Sequence, residues 1–425
     1  MPNPTPGTLG FATVLGMSAP LLTGLAERLA RPPQKSERQR ARLHLLDWLA
    51  CVAGARTSEA GEMGGAISFK GWERATYLGN VLEMDDVHRT SLLHPGPVIW
   101  PAAMSMASAD MDRRLDAAVR GYEAMIAIGA AFDAHHYAHW HPTATMGVFG
   151  ATAAFGSVIG FAPVEYANAL GNAGSVAGGL WHMRHDSDVL TKQWHIYHAV
   201  RTGRDAALHV HYGATGPQSI LEGPQGLFAA MTKEPGALAD NGAGWLIDTV
   251  SFKPFAACRH AHPAIDAALE LRRAGKLNAP FHVETFADAL TFCDRPDPVT
   301  ELDAKFSLQQ AVAVIADGRD AGPEDFTPEA IAAVADLRAQ VSVAEDPAIT
   351  ARYPAHFGAR VNGLELVDTL GDPERPVSED DIIAKMHSLA RWGKLSDDQA
   401  KRAVMLALES DDAEAIDSLL EDWIR

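Results

Sequence analysis

From Ala144 to Val164 the chain runs without a charged residue, far enough to cross a membrane as a helix. Gly147, Gly150, Gly156, Gly160 and Pro163 punctuate it, and a His-rich segment precedes it. Glycine inside a helix costs about 1 kcal/mol relative to alanine. That cost is offset where helix backbones must approach closely and bury their surface. We therefore read the segment as a helix in the centre of a multi-layer helical domain and not as a membrane span.

The surrounding sequence extends this pattern. Residues 24 to 54 predict an amphipathic helix, with Leu29, Leu43, Leu45, Leu49 and Val52 at roughly helical spacing among Arg and Lys. Pro101 to Asp112, Ala118 to Ala134 and Val164 to Val176 predict further helices, since all lack the β-branched alternation of strands. After residue 265 the texture changes. Phe281 to Phe286 alternates with period two and predicts a strand, as does Arg360 to Val367, whose imperfect alternation suits burial on both faces. Between them lie a helix over Ser307 to Ala316, a helix from Pro328 to Leu337 capped by Thr327, and a short strand at Val341 to Val343. Ser396 and Gln399 have capping-box spacing before a helical tail over Ala400 to Ile424. The expectation is a mainly α chain: a large all-helical domain over residues 1–265, completed by 376–425, and a smaller α+β domain over 266–375.

A formal charge of -18 over 425 residues argues against a broad nucleic-acid surface and against adsorption to anionic lipid. An anionic substrate would then need a local basic cluster. Three cysteines, Cys51, Cys258 and Cys293, with no CxxC pair, fit a reducing compartment better than a disulfide or thiolate-metal scaffold. No Lys or Arg precedes the apolar stretch from Leu9 to Leu22, so a cytoplasmic start is expected.

Four segments concentrate chemistry. The first is Glu83-Met84-Asp85-Asp86-Val87-His88, followed by His94-Pro95-Gly96; carboxylates this close repel unless they face solvent, cations or a ligand. The second, Asp133 to Thr143, holds His135, His136, His139 and His141 and is open to three readings: metal ligation, acid–base work or plain packing. The third, His182 to Asp188, leads to Lys192 and His195, with Ser187 or Thr191 as a helix cap. The fourth, Lys253 to Pro263, gathers Lys253, Arg259, His260 and His262 where the two domains should meet, the place for a small-anion cleft or an interdomain salt-bridge seam. Neither a phosphate-binding glycine loop nor a GxSxG elbow occurs.

Taken in order, and joined by Gly121-Tyr122-Glu123, Thr215-Gly216-Pro217 and Leu221-Glu222-Gly223, these segments resemble the MmgE/PrpD family. The resemblance implies a helical domain with an α+β lid, a homodimer, a small polycarboxylate substrate, and an interdomain site without metal or organic cofactor. It implies that His94, His141, Lys192 and Lys253 line the cleft. With Asp85 or Asp86 behind one histidine they would form the acid–base set, and Glu83, His88, His195, Arg259, His260 and His262 would contact substrate. Lys192, Lys253 and Arg259 are expected to clamp carboxylates. The expected reaction is dehydration of a citrate-like acid such as 2-methylcitrate; epimerisation of an iminodisuccinate-like acid, cis-aconitate-type decarboxylation and a silent binding homologue are the alternatives. Departures from the family pattern are Glu83 for Asp, Val87 for Thr, Tyr197 for a small residue, and Cys258 where the decarboxylase-like pattern has His.

Overall fold

The computed structural model describes residues 19–66, 71–106, 110–186 and 189–424. The chain before residue 19 and Ser187, one of the two expected caps, lie outside them.

The uncharged segment forms helix Pro142–Ile159, almost all of whose residues are buried. It alone among the described helices is long and apolar enough to cross a membrane, but 89% of it is covered by protein. Helices Gly96–Met104, Met111–Gly129, Pro163–Gly174 and Thr191–His211 surround it. Its glycines set the spacing: a Cβ on Gly150 would lie 2.6 Å from Ile99 Cδ1 and 3.1 Å from the Gly121 carbonyl. Across the other face, a Cβ on Gly203 would meet the Thr152 backbone nitrogen at 2.7 Å.

The helix expected over 24 to 54 is two, Leu21–Leu29 and Lys35–Ala55, because Pro32 and Pro33 interrupt it. From Ala41 to Ala55 the second is buried almost continuously, the mark of a central helix and not an amphipathic surface one. Helices Glu379–Trp392 and Asp397–Leu408 pack against it, so the end of the chain returns to the helical body. The segment from Pro101 to Asp112 likewise divides: Gly96–Met104 ends within it, and Asp110 caps Met111–Gly129 by accepting from the Arg113 amide at 2.8 Å. The helix expected to run to Ala134 stops at Gly129, and Ala134–His139 is a separate short helix.

A four-stranded sheet forms the mixed region, with β1 Phe281–Thr285, β2 Val341–Glu345, β3 Ala359–Val361 and β4 Leu364–Leu366 in the order β2-β1-β3-β4. β1 and β2 are parallel, Phe281 opposite Val341, while the β1–β3 and β3–β4 pairs are antiparallel. Phe281, Val283 and Thr285 turn inward, where helices His262–Arg273 and Leu308–Ala316 pack. The single strand expected over 360 to 367 is a hairpin turning at Asn362 and Gly363, whose φ values of 44° and 89° suit a two-residue turn. The turn reverses the chain, which accounts for the broken alternation. Thr327 caps its helix as expected, that helix ending at Ala333, while Ser307, expected within its helix, stands before Leu308–Ala316 as the cap. Ser396 and Gln399 form the capping box, but the tail breaks after Leu408 and restarts at Ala413 behind an Asp412 cap. The protein is thus mainly helical with a smaller mixed α/β region.

Candidate functional site

A cavity of about 390 Å³ opens between the helical body, which contributes Val81 to His94 and Tyr137 to Gln193, and the later segments around Cys258 to Phe306. Five carboxylates and five Lys or Arg side chains line it. Its charge is therefore balanced, against -18 for the whole chain. The local basic cluster expected for an anion is thus present, but an equal number of carboxylates offsets it.

The acidic loop is held rigidly. Val87 pairs with Ser251 and His88 with Leu93 in antiparallel bridges. Glu83, at φ 56°, turns its carboxylate to two ammonium groups: Oε1 to Lys192, and Oε2 to Lys253 at 3.5 Å. Burial opposes ionisation of Glu83, but the two lysines outweigh it and hold the carboxyl below its ordinary value. Lys253 is wholly enclosed, and burial lowers it despite Glu83 and Asp85.

Asp85 lies behind His94. Its Oδ2 accepts from Asn80 Nδ2 at 2.6 Å and sits 2.9 Å from His94 Nδ1, an ion-pair approach more than a well-aimed hydrogen bond. Burial raises the Asp85 carboxyl, yet His94 and the lysines win and leave it lowered. His94 lines the cavity, with its backbone amide tied to Thr143 Oγ1 at 3.0 Å, so the first and second segments are joined here.

Asp86 has a different task. It accepts from His44 Nδ1 at 2.7 Å, Tyr122 O–H at 2.5 Å and the Gly96 amide at 2.7 Å, fixing the loop to the start of helix Gly96–Met104. Burial pushes it up to about 6. His141 ends the His-rich segment and precedes Pro142 at the first turn of the central helix. Its amide donates to the Gly179 carbonyl at 2.9 Å, and its Nδ1 is 3.2 Å from His195 Nδ1. Burial, then Lys192 and His195, press its pKa well down, so the ring is neutral; Nε2 has no hydrogen-bond partner among the described residues. His195 thus meets the cavity only by way of His141, and its pKa too is lowered, chiefly by burial. Lys192 sits in the first turn of helix Thr191–His211; Leu190 takes the cap position without a side-chain hydrogen bond, contrary to the Thr191 expectation.

Other expected contacts are placed elsewhere. His88 is spent on Thr249 Oγ1 at 3.1 Å and the Ser91 amide at 3.2 Å, and burial lowers it to about 3. His262 is enclosed between the Ala257 carbonyl and Arg259. Arg259 reaches the cavity wall, but its guanidinium is committed to Asp372 at 2.5 Å. Of the three expected clamp cations, Lys192 and Arg259 reach the cavity wall, each paired with a buried carboxylate, Glu83 and Asp372; Lys253 stands behind Glu83. His260 lines the wall, stacked on Phe292 with ring centroids 4.9 Å apart and 3.3 Å from Cys258 Sγ. His135 and His139 pack edge to face at 4.9 Å. Among the described residues a metal-sized grouping of ligand atoms occurs at His356, Asp368 and Glu374, where Arg89 already meets both carboxylates.

Sequence reasoning missed His44, Lys385 and Lys305. Lys385 is enclosed, donating to Asp47 Oδ1 at 2.6 Å, the Met84 carbonyl at 2.5 Å and the Lys253 carbonyl at 3.1 Å. Lys305 lines the cavity, bonded to Glu301 Oε1 at 2.7 Å and the Val81 carbonyl at 3.3 Å. Its signal was present in the Lys305-Phe306-Ser307-Leu308 segment. For His44 and Lys385 nothing local marks them.

The chain is similar in sequence to known proteins. A cis-aconitate decarboxylase of Aspergillus terreus is 28% identical over 210 residues, 45% of this chain and 42% of that protein. The cis-aconitate decarboxylase-like protein oryM of Aspergillus oryzae is 25% identical over 277 residues, 55% of this chain and 57% of that protein. The chain spans about half the length of the curated relatives it matches. Residues 74–238 match the MmgE/PrpD N-terminal domain, and residues 255–410, which carry the sheet and the second wall of the cavity, match the MmgE/PrpD C-terminal domain. With both halves of the cavity falling inside those matches, the chain belongs to the MmgE/PrpD family.

Proposed function

We propose that the chain is a lyase acting on a small citrate- or aconitate-like polycarboxylate by moving a proton at a carbon beside a carboxylate. The observation that carries this reading is the convergence of Asp85-backed His94, neutral His141 and Lys192 on one charge-balanced cavity. Asp85 faces Nδ1 of His94, which leaves Nε2 for proton transfer. His141 offers its unpartnered Nε2 as the second group. Lys192 receives a substrate carboxylate, where negative charge builds as the reaction proceeds. Glu83 can release Lys192 because Lys253 remains as its counter-ion. Acid–base groups carry every step, so neither a metal nor an organic cofactor enters the proposal.

The similarity to proteins named cis-aconitate decarboxylases favours loss of carbon dioxide. The electrons of the broken carbon–carboxylate bond form a new double bond, and the displaced π pair takes a proton from the acid. Dehydration of a citrate-like acid is the second reading. Cys258 favours it, because that thiol lies on the cavity wall at the position where the decarboxylase-like pattern carries histidine. Incubation with cis-aconitate, citrate, 2-methylcitrate and iminodisuccinate in deuterated water, followed by proton NMR, tests both. Decarboxylation gives carbon dioxide and a product with deuterium on carbon; dehydration gives an alkene acid without carbon dioxide. No deuterium on carbon and no product from any of the four would refute the lyase reading.

A further inference from the structure

Cys258 and Cys293 lie side by side, and the proposed reaction gives neither a step. Cys258 stands before the short turn Arg259–Ala261, with its amide fixed to the Lys305 carbonyl at 2.8 Å, and it forms part of the cavity wall. Cys293 ends helix Ala287–Cys293, wholly enclosed, and its thiol donates to the Cys258 sulfur. Cys51 is enclosed in helix Lys35–Ala55 and is not on the cavity wall.

His260 completes the group. Its Nδ1 is 3.3 Å from the Cys258 sulfur and its Nε2 is 3.4 Å from the Tyr353 hydroxyl, which is held in turn by Asp288. A hydroxyl that gives its proton to a carboxylate accepts from the imidazole, so Nε2 carries the ring proton and Nδ1 is free to take one from Cys258. Phe292, Phe286 and Phe357 pack around the ring, with centroids 4.9, 5.6 and 5.6 Å away, and hold its plane. A thiol, a base within reach and a third group orienting the base make an activated sulfur nucleophile. Burial and the Glu83 carboxylate oppose ionisation of Cys258, but the Cys293 thiol and then His260 outweigh them and hold its pKa well below the ordinary value. Burial raises Cys293 well above its own, so that it stays a thiol.

We infer that Cys258 is a peroxide-reactive thiol and Cys293 its resolving partner, so that oxidation joins them in a disulfide at the cavity wall. The Cys258 thiolate attacks an oxygen of hydrogen peroxide, the O–O bond breaks, and the departing hydroxide takes the proton held by His260 and leaves as water. The Cys293 sulfur then attacks the sulfenic acid, the S–O bond breaks, and the Cys293 proton goes with the hydroxide as a second water. The thiols lose two hydrogens and the peroxide is reduced to two waters. A redox-sensing cysteine needs thiolate character, access for a small oxidant and a resolving thiol close by, and the cavity of about 390 Å³ supplies the access. In a reducing compartment such a disulfide is transient. Neither step depends on the lyase reaction.

The test exposes the full chain to hydrogen peroxide, then unfolds it, blocks free thiols with N-ethylmaleimide and maps it by non-reducing mass spectrometry. A Cys258–Cys293 peptide pair lighter by two hydrogens and restored by dithiothreitol is expected, with Cys51 still alkylated. Cys258 should be consumed at least tenfold faster in the native protein than in urea. An equal or slower native rate, or oxidation of Cys258 to a sulfonate without the link, would overturn the inference. In Cys293→Ser the sulfenic acid should persist and be trapped by dimedone; failure to trap it argues against Cys258 as the thiol first oxidised. His260→Asn should slow native oxidation at least fivefold, and an unchanged rate would remove the imidazole from the site. Should Cys293→Ser fail to fold, the wild-type peptide map decides alone.

Discussion

The Glu83 carboxylate lies 3.5 Å from the Lys253 ammonium, and neither group has meaningful contact with solvent. Removing one member of a buried pair leaves the other uncompensated, which costs about 3–5 kcal/mol. Glu83→Gln should therefore lower unfolding free energy by that order in urea titrations at pH 7. A loss below about 1 kcal/mol would mean Lys253 is not charged in the native protein. Because the folded-state value of Glu83 is depressed below 4.5, its contribution is present above that pH and disappears as pH falls through the lowered value. The gap between wild type and Glu83→Gln should close in the same direction.

Asp85 lies 2.9 Å from His94 Nδ1, and the proposed reaction gives His94 the proton transfer. General acid–base groups contribute about 10²–10⁴ in rate. His94→Gln is expected to slow deuterium exchange into a substrate carbon by that range, with substrate Kd changed by less than about threefold. Parallel losses in rate and affinity would reassign His94 to binding.

His262 gives a pH effect of known sign. Its Nε2 donates to the Ala257 carbonyl at 3.1 Å and its Nδ1 accepts from Arg259 at 3.3 Å, an arrangement only the neutral ring satisfies. Burial, then Arg259 and Lys253, hold its pKa well below 6.5. The unfolded chain therefore binds this proton first, and stability falls as pH drops below about 6.5. His262→Gln should reduce the slope of stability against pH between 6 and 5 by up to about 1.4 kcal/mol per pH unit. An unchanged slope would show that His262 is already protonated in the native state.

These examples also show what sequence can and cannot disclose. Thr327 and Ser396 announced their helices because a cap acts within three residues of itself. The interruption at Pro32-Pro33 and the Asn362-Gly363 turn were equally local signals, overridden by a periodicity drawn across them. That His94, His141 and Lys192 share one cavity was legible through their ordered motifs, but the partners of the remaining candidates were not. His88 and Arg259 have the right chemistry for a ligand, and only the three-dimensional placement of Thr249 and Asp372 shows that both are already engaged. His44 and Lys385 meet site segments 42 and 301 residues away, distances over which no spacing rule operates.

Gly150 should tolerate no side chain without loss. A methyl there would stand 2.6 Å from Ile99 Cδ1 and 2.8 Å from Met125 Cβ. Overpacking of this kind costs about 1–3 kcal/mol, more than alanine's helix preference returns. Thermal unfolding of Gly150→Ala should show a lowered Tm; a raised one would mean the helices part easily.

Lys385 should behave as a positioning residue. Burial pushes its partner Asp47 up to about 7, yet their 2.6 Å contact and the two carbonyls held by the same ammonium favour the charged pair. Lys385→Met is expected to destabilise by about 3–5 kcal/mol, and Lys385→Met with Asp47→Asn by clearly less than the sum of the single changes. Simple additivity in urea titrations would dissolve the pair.

That lysine also sets an order of events during synthesis. The carbonyls of Met84 and Lys253 are fastened by a side chain from helix Glu379–Trp392, which also covers the central helix Lys35–Ala55. A nascent chain that has already displayed His94, His141 and Lys192 outside the ribosome still lacks the clasp on the loops at Met84 and Lys253. A product shortened before residue 385 would carry those three residues with Met84 and Lys253 left unfastened.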